Sequence, residues 1–534
     1  MTGWADHLII APIILPMLTG AGMILAGDGR RGVTVALGLA STLSLLALSV
    51  ALLSVADTTG VRIYRLGDWP ALFGIVLVLD RLSAMMLALS SALGLASFVF
   101  SLGRRHAPGA LFHPLLQLQF MGLNGAFLAG DLFNLFVFFE VMLAASYGMA
   151  LHGSGRARVL AGLHYVVINL LASLLFLIGV SVVYGIAGTL NMADLATRMG
   201  EVAVEDRALL EAGLAVMGIA FLVKAAMWPL GFWLPGTYAA ATAPAAAILS
   251  ILSKVGIYAV LRLWSLLFSE DSGDSAGFGG TALLIGGLLT IAYGSAAILG
   301  AQSLRRLAGA SVMVSSGTLL ATIGTGHSAV TGGALLYLAS SVLAIAAFFL
   351  LIELVERGRE AGADVLAVTR EAFGTGDSEP VEAHEVGVAI PGTLALLGLS
   401  FIACALLLAG LPPLSGFLAK FAILAPLLGP PDAVVSVTSW VLMAALILSG
   451  LATVVAMLRA GIEAFWTSPA STAARVGLAE IVPIGLLLAL CAALTVAAGP
   501  AVDYMRATAE ALHAPSGYVR SVLTPPAPVP KGGG

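Results

Sequence analysis

The sequence has few charged residues for its length. Only 10% of its 534 residues are charged, whereas 59% are apolar and the mean hydropathy is +1.03. An ordinary soluble protein carries roughly 25% charged residues. A soluble chain could not hide this much apolar surface from water. The sequence therefore predicts a protein embedded in the lipid bilayer, and it excludes disorder for most of the chain.

Cofactor and nucleic-acid motifs are lacking too. The net charge of −4 is thinly spread and includes no basic stripe, which excludes a nucleic-acid binder. The two cysteines, Cys404 and Cys491, lie apart within apolar runs, which favours packing over a metal or iron–sulfur site. Neither a Cys-x-x-Cys-His haem motif nor a glycine-rich phosphate loop occurs. We therefore expect no bound cofactor.

Long apolar runs fill most of the chain. A helix needs about 20 apolar residues to cross a bilayer. About fourteen stretches meet this length, in residues 7–26, 32–55, 74–101, 111–130, 132–151, 159–187, 208–230, 237–268, 277–301, 305–325, 330–353, 389–429, 434–462 and 476–500. We interpret 389–429 as one broken helix. The sequence thus predicts an all-α polytopic membrane protein with about 14 transmembrane helices.

Arginine pairs predict the orientation of these helices. Short loops with arginine alternate with neutral or acidic loops, and the pairs are Arg30/Arg31, Arg104/Arg105, Arg156/Arg158 and Arg305/Arg306. The positive-inside rule then places both termini of this multi-pass membrane protein outside the cytoplasm, provided that the number of spans is even. Residues 354–388 are predicted to form a solvated cytoplasmic loop. Residues 501–534, after the final span 476–500, are predicted to form a disordered tail.

The positions of the lysines are the first functional signal. Three of the four lysines, Lys224, Lys254 and Lys420, lie within apolar spans, whereas arginine is the usual loop cation. A charge near mid-bilayer costs at least ~2.5–3.5 kcal/mol, so it is usually kept for function. Lysine can also lose its proton when buried, which arginine practically cannot. We predict proton or ion translocation at these lysines; the alternative is a lysine that reaches the interface from a helix end.

Other intramembrane polar residues are fewer. Glu140 ends the run Asn134-Leu-Phe-Val-Phe-Phe-Glu and is predicted to pair with a cation, for which Lys224 is the natural candidate. A purely structural ion pair is the alternative. His164, at the start of a span, fits either a proton relay or an interfacial position. The weaker candidates are Asp80 and Arg81 as interface markers and Asn124 as a contact between helices.

Prolines interrupt two of the spans. Pro229 and Pro235 follow Lys224, and Pro412 and Pro413 precede Lys420. The local sequences Pro229-Leu-Gly-Phe and Pro413-Leu-Ser-Gly-Phe are similar and lie five spans apart. Two helices that lie an odd number of spans apart cross the membrane in opposite directions. The pattern therefore predicts two inverted five-helix repeats with two broken helices. Two ordinary proline kinks are the alternative. The predicted units are residues 1–110 (helices 1–3), 111–268 and 277–462 (the repeats), and the final helix.

Several motifs carry a family resemblance. The segment Gly130-Asp-Leu-Phe-Asn-Leu-Phe-Val-Phe-Phe-Glu-Val-Met resembles the fifth helix of the antiporter-like membrane subunits found in complex I, membrane-bound hydrogenases and Mrp-type antiporters. Pro412-Pro-Leu-Ser-Gly-Phe-Leu-Ala-Lys is similar to their twelfth helix, and the Lys224 and Lys254 segments to the seventh and eighth. Residues 187–194 and 349–359 most resemble the D-type subunits of multisubunit Mrp (Pha) monovalent cation/proton antiporters.

The resemblance implies a function and a set of residues. It implies a secondary transporter subunit rather than an enzyme, assembled with other Mrp-type membrane subunits in the bilayer and moving H+ and Na+ or K+. It also implies that Glu140 is the paired carboxylate of Lys224, Lys254 the central relay and Lys420 the terminal lysine. Many relatives carry a base in the eleventh span, which this sequence lacks; water or the hydroxyls of Tyr337, Ser340 and Ser341 would replace it.

Three other functions stay open from the sequence. The chain could be a proton-pumping subunit of a complex I- or hydrogenase-type redox complex, or a membrane partner in bicarbonate uptake. It could also be a scaffold subunit that contributes only packing. Three intramembrane lysines and a glutamate argue against the scaffold, because apolar residues would stabilise it better.

Overall fold

A computed structural model of the protein describes residues 7–71, 74–103, 111–153, 155–373, 392–429, 434–465 and 476–524. Its α-helices are α1 Ala11–Ala26, α2 Arg31–Thr59, α3 Arg81–Ser101, α4 Phe112–Leu128, α5 Leu132–Ala150, α6 Arg156–Ala187, α7 Met192–Met199, α8 Val204–Lys224, α9 Trp233–Ala240, α10 Ala243–Leu249, α11 Leu252–Leu267, α12 Gly280–Leu299, α13 Leu304–Ile323, α14 Ser328–Phe373, α15 Gly392–Ala409, α16 Ser415–Leu428, α17 Val437–Phe465, α18 Leu478–Val496, α19 Ala498–His513 and α20 Ser516–Leu523.

The helices confirm the all-α polytopic class. Over the described ranges, 11 helical segments are long and apolar enough to cross a membrane, and α1 and α16 are shorter apolar helices. The figure of about 14 spans stays a prediction. The span Ala243–Leu267 is buried throughout, as are most of α13 and the membrane part of α14, whereas α2, α6, α17 and α18 expose many apolar side chains. An apolar outer surface suits lipid or neighbouring membrane proteins, and the polar residues are left to the interior.

Both predicted helix breaks are confirmed. The chain between α8 and α9 is non-helical over residues 225–232, and the chain between α15 and α16 is non-helical over 410–414. Each break falls in the fourth span of its predicted five-helix unit. Lys224 directly precedes the first break, whereas Lys420 follows the second. A third interruption, at Ser250–Ile251 between α10 and α11, was not predicted.

A small hairpin closes one end of the bundle. Strand β1, Arg62–Arg65, pairs antiparallel with β2, Val76–Leu79, with Arg62 opposite Leu79. Asp80 follows β2 and begins α3 through a capping box, in which its Oδ1 accepts from the Ser83 amide and the Ser83 hydroxyl accepts from the Asp80 amide, both at 2.9 Å. This cap orients the Asp80 carboxylate at the helix N-terminus.

The prediction of a solvated loop at residues 354–388 is wrong in part. Helix α14 continues to Phe373, so residues 354–373 of the predicted loop are helical. Their first charges are paired rather than solvated: Glu356 accepts from Arg305 at 2.6 Å and Arg357 donates to Glu480 at 2.6 Å. The rest of the segment, 374–388, lies outside the described residues.

The predicted tail 501–534 is wrong as far as residue 524, because α19 and α20 occupy most of it. Helix α19 buries Met505, Thr508, Ala509 and Leu512, which recur on one helical face, and it packs against α14. The proline- and glycine-rich composition that predicted disorder is concentrated in residues 525–534, which lie outside the described part of the chain.

Candidate ion-translocation site

Lys224 is a buried cation without a direct acceptor. It is the last residue of α8 and only 5% exposed. Its Nζ has no hydrogen-bond partner among the described residues, and it lies 5.4 Å from the centre of the Phe139 ring. The ring face attracts the ammonium, but it cannot replace the hydrogen bonds that water would provide. Lys224 is therefore poised to respond to a nearby charge or a water molecule.

The break after Lys224 is held by specific contacts. Ala226 adopts a positive φ of 59°, and the Val223 carbonyl accepts from the Ala226 amide at 3.1 Å and from the Trp233 indole at 3.2 Å. The Trp228 amide donates to the Thr290 hydroxyl at 2.9 Å. A Cβ on Gly256 of α11 would lie 2.7 Å from the Phe221 carbonyl oxygen, so glycine allows α11 to touch the break. These contacts satisfy the freed backbone groups and bring the Lys254 helix alongside.

Glu140 lies near Lys224 without a direct bond to it. It is half-buried on α5, directly after Phe139, and its Oε1 accepts from the Ser173 hydroxyl of α6 at 2.5 Å. No hydrogen bond or ion pair joins Glu140 to Lys224 in the described structure, but Glu140 directly follows Phe139, whose ring centre lies 5.4 Å from the Lys224 Nζ. The predicted pairing is therefore compatible with the geometry as an interaction across a gap.

Lys254 lies at the centre of the bundle. It is fully buried, in the first turn of α11 after the Ser250–Ile251 interruption. Its Nζ donates to the Ser316 hydroxyl at 3.2 Å and, at the limit of hydrogen bonding, to the Val312 carbonyl at 3.5 Å, both on α13. The ammonium is thus bound only by neutral acceptors, which stabilise its charge less than a carboxylate would.

Lys420 binds the end of a broken helix. Its Nζ, on α16, donates at 2.8 Å to the carbonyl of Ala409, the last residue of α15. The last carbonyls of a helix lack internal partners and carry the negative end of its dipole, so they suit a cation. Gly410 has a φ of 76°, and a Cβ there would lie 2.5 Å from the Lys420 Cδ. Because glycine has no side chain, the Lys420 side chain has room to reach the Ala409 carbonyl.

Paired hydroxyl groups link α13, which contacts Lys254, through α14 to α16, which carries Lys420. Ser341 of α14 is 3.0 Å from Ser315 of α13, and Ser340 is 2.8 Å from Ser415 of α16. Tyr337, Ser340, Ser341 and Ser315 line a cavity of about 10 Å³, about the room that one water needs. The structure therefore brings together the three hydroxyl residues named from sequence, and it adds Ser315 and Ser415.

Similarity to known proteins identifies the family. The family described as NADH:quinone oxidoreductase/Mrp antiporter, transmembrane, matches residues 129–453, which include both breaks and all three lysines. A Rhizobium meliloti (strain 1021) protein, named as the D subunit of a probable K(+)/H(+) antiporter, is 56% identical over 98% of this chain and 99% of its own length. The chain belongs to the family of D-type antiporter subunits.

Two further proteins support this membership. An Alkalihalophilus pseudofirmus protein, named as the D subunit of a Na(+)/H(+) antiporter, is 35% identical over 97% of this chain and 99% of its own length. A chain in the structure of the Mrp complex from Dietzia sp. DQ12-45-1b has a TM-score of 0.81 and 25% identity, and the match covers 98% of this chain and 100% of that one. The fold is therefore that of Mrp-type antiporter subunits.

His164 lies apart from the three buried lysines of this D-type family member. Its side chain is exposed on α6, whereas the three lysines are buried. Asn124 forms the expected helix contacts, since its amide donates to the Pro12 carbonyl at 2.8 Å and its oxygen accepts from Ser90 at 3.1 Å. The structure thus places His164 on the outer surface of the bundle, away from the three lysines.

Sequence reasoning missed two kinds of residue in this member of the family. It passed over Ser173, Ser315, Ser316 and Ser415, because single serines are common in membrane helices. It also passed over Arg262, although this is the one arginine within the apolar stretch 237–268. Arg262 forms a buried ion pair with Asp80. A charged residue inside an apolar run is the signal that could have found it.

Two arginines of the predicted cytoplasmic loops have a second role in this D-type fold. Arg158 donates at 2.8 Å to the Ala240 carbonyl and Arg305 donates at 3.3 Å to the Ala241 carbonyl, where α9 ends. Arg305 also donates to Glu353 of α14 at 2.7 Å. The arginines therefore bind the carbonyl end of α9, where cations are favourable.

Side chains that bind metals are scattered through this fold. Over the residues that the structure describes, no group of three or more His, Cys, Asp or Glu side chains is arranged to hold a metal ion. The expectation that the chain binds no cofactor stays a prediction.

Proposed function

We propose that this chain is the core proton- and cation-translocating subunit of a multisubunit monovalent cation (Na+ or K+)/proton antiporter. The observation that carries the proposal is the set of three buried lysines, Lys224, Lys254 and Lys420. In the described parts of the chain, none forms an ion pair with a carboxylate, and hydroxyl groups connect the central lysine toward the terminal one. Relatives named as D subunits of K+/H+ and Na+/H+ antiporters support it.

Charge repulsion couples the lysines in this mechanism. Two ammonium groups about 8 Å apart repel by ~2 kcal/mol at an effective dielectric constant of ~20. A proton that leaves one lysine therefore favours protonation of the next. Glu140 sets the proton affinity of Lys224 from across the gap, and a change at Glu140 is passed along the row. Water with Tyr337, Ser340 and Ser341 carries the proton between Lys254 and Lys420.

The assembly follows from the same proposal. The chain acts as a secondary transporter component, not an enzyme, within a hetero-oligomer of Mrp-type membrane subunits in the bacterial inner membrane. Both termini face the extracytoplasmic side, as the arginine loops predict. The membrane potential supplies about 2.3 kcal/mol per charge per 100 mV to an exchange that moves net charge.

Everted vesicles that contain the assembled complex provide the test. A pH gradient is imposed, sodium or potassium salt is added, and a pH-sensitive dye follows the gradient. We expect cation-dependent collapse of the gradient, lost in Glu140→Gln and in Lys420→Ala. His164→Gln is the matched control for an exposed titratable group, and it should exchange normally. Because the relative with 56% identity carries K+ in its name, we expect the larger response with potassium.

A second function is distinguished by the same assay. The matching family also includes NADH:quinone oxidoreductase subunits, so a redox-driven proton pump would share the buried lysines. An assembled complex that shows no collapse with either cation contradicts the antiporter proposal and favours the redox pump. Normal exchange in Glu140→Gln would contradict only the role given to Glu140 and would leave the antiporter proposal standing.

A further inference from the structure

A second cavity lies at the end of the bundle where α2 ends and α3 begins. Its volume is about 110 Å³, and since each water needs roughly 10–15 Å³, it can hold several. Asp80 and Arg262 line it on one side, and Thr508, Ala511 and Tyr518 of the C-terminal helices line it on the other. Neither Glu140 nor any of the three buried lysines lines this cavity, so it is separate from the site already described.

An ion pair between Asp80 and Arg262 forms the charged side of the cavity. Arg262 donates to both carboxylate oxygens of Asp80, at 2.5 and 2.8 Å. The two side chains are only 7% and 14% exposed. The guanidinium also lies 5.4 Å from the Tyr258 ring centre and 5.3 Å from that of Tyr518. A two-point ion pair held between two aromatic faces is well ordered, and it lines the cavity where α3 begins and α11 passes.

Lys254 and the cavity-lining Arg262 lie on the same face of one helix. Lys254, Tyr258 and Arg262 follow one another at intervals of four residues on α11, so they lie in one row. The row spans about 12 Å at 1.5 Å per residue. The Tyr258 hydroxyl donates to the Phe127 carbonyl at 2.6 Å and accepts from Arg262 at 3.3 Å. The row thus places polar side chains one helical turn apart between the cavity and the fully buried Lys254.

The C-terminal helices form the outer wall of the cavity. Arg65 of β1 donates to the Val522 carbonyl at 3.0 Å, and the Tyr504 hydroxyl donates to the Arg81 carbonyl at 2.8 Å. These bonds fix α19 and α20 against the hairpin and the start of α3. The wall is therefore part of the folded chain, and the ion pair lies beneath it.

We propose that this cavity is an aqueous port for the protons that reach Lys254, and that the Asp80–Arg262 pair is its gate. The proposal rests on the proposed antiport function. When the pair separates, the Asp80 carboxylate accepts a proton from hydronium in the cavity. That proton then passes through water beside Tyr258 to the neutral amine of Lys254, whose previous proton has moved on toward Ser316. Asp80 is left as a carboxylate, and it pairs with Arg262 again.

Cysteine labelling tests whether the port is used. Ala511→Cys points a thiol into the cavity, and Glu510→Cys is the matched control on the same helix, exposed and outside the cavity lining. The native Cys404 and Cys491 are buried. The purified complex is labelled in detergent with a bulky cationic thiol reagent and reconstituted into proteoliposomes. We expect labelled Ala511→Cys to lose cation-dependent exchange and labelled Glu510→Cys to keep it. Equal exchange in the two labelled complexes would overturn the port.

Neutralising the pair tests the gate. The double variant Asp80→Asn, Arg262→Gln removes both charges but keeps polar side chains. We expect its proteoliposomes to lose a pH gradient faster than the unmodified complex when no sodium or potassium is present. The matched control is Arg207→Gln, Asp274→Asn, which neutralises an ion pair outside the cavity. A leak no faster than that of the control would overturn the gate.

These outcomes are separable from failure of the proposed function. The leak is measured without transported cation, so it reports on the gate even if the unmodified complex exchanges neither sodium nor potassium. An unmodified complex that exchanges neither cation would contradict the antiporter function itself. If the double variant fails to assemble, the comparison of labelled Ala511→Cys with labelled Glu510→Cys decides the proposal, because an ion pair with only a structural role predicts no difference between them.

Discussion

Individual glycines decide where the buried lysines can reach. Lys420 reaches the Ala409 carbonyl across Gly410, whose φ of 76° disfavours any side chain. The space there is also occupied, because an added Cβ would meet the lysine stem. Sequence reasoning identified the lysine but not this glycine, since both the positive φ and the close approach exist only in the folded chain.

Gly410→Ala should therefore displace Lys420 from its carbonyl. We expect the complex to assemble but to lose most of its cation-dependent exchange in everted vesicles. The control is Gly398→Ala on α15, where an added Cβ meets nothing within 4 Å. That control should exchange normally and be slightly more stable, by roughly 0.5–1 kcal/mol, because alanine favours the helix. Equal exchange in the two variants would contradict the role given to Gly410.

Ser173 holds the carboxylate of Glu140. A hydrogen bond to a charged group contributes about 1.5–3 kcal/mol, so Ser173→Ala should free Glu140 and weaken its influence on Lys224. We expect exchange to slow by roughly tenfold, since about 1.4 kcal/mol corresponds to that factor. Ser181→Ala is the matched control, because Ser181 lies exposed on the same helix and bonds only the Leu177 carbonyl. A similar rate in both variants would show that Glu140 needs no such anchor.

At the scale of elements, the folded C-terminal segment is the main departure from the sequence-based prediction. Helix α19 has an apolar face, but its alanines and charged residues give it too low a hydropathy to stand out after fourteen apolar stretches. Its order comes from packing on α14 and from the Tyr504 bond to the start of α3, and α20 is bound in addition by Arg65 of β1. Tertiary contacts stabilise such a short amphipathic helix more than its own propensity does.

Acid should loosen this segment. His513 lies 3.0 Å from the Thr331 hydroxyl, and burial together with the neighbouring His327 lowers the pKa of His513 below its usual 6.5. The folded chain then binds fewer protons than the unfolded chain, so the stability from this group is complete above pH 6.5 and is lost as the pH falls below it. Limited proteolysis of α19 and α20 should accelerate under those conditions.

The matched variant for the acid effect is His513→Gln, which keeps a polar side chain but cannot titrate. We expect its proteolysis rate to change less between neutral and mildly acidic pH than that of the unmodified protein. The same acceleration in both proteins would show that another group is responsible.

At the scale of the whole molecule, the contact between Lys254 and Ser316 joins the two predicted five-helix units. Lys254 belongs to the first unit and Lys420 to the second. Ser340 and Ser415 lie 2.8 Å apart on different helices of the second unit, between Lys254 and Lys420. The absence of a base in this interval was visible in the sequence. Its replacement by paired serines and a cavity for one water was visible only in the structure.

Ser340→Ala should interrupt this connection. We expect the complex to assemble and to exchange cations more slowly, because the Ser415 hydroxyl loses its partner and the small cavity loses one polar wall. The control is Ser400→Ala, a serine whose hydroxyl bonds only its own helix, at the Leu396 carbonyl. Reconstituted exchange rates of the two variants are compared directly. Unchanged exchange in Ser340→Ala would remove this serine from the route.

The sequence by itself determined that the chain lies in the lipid bilayer, that it is helical, where its two helix breaks fall and which lysines are buried. Each of these follows from local composition, because lipid demands apolar spans, proline ends hydrogen bonding within a helix, and a charge inside an apolar run is costly wherever the run packs. The tertiary structure alone decided which polar groups meet: Glu140 with Ser173, Lys420 with Ala409, and Asp80 with Arg262. Those contacts join residues distant in sequence, and their distances depend on how whole helices pack, which no local pattern encodes.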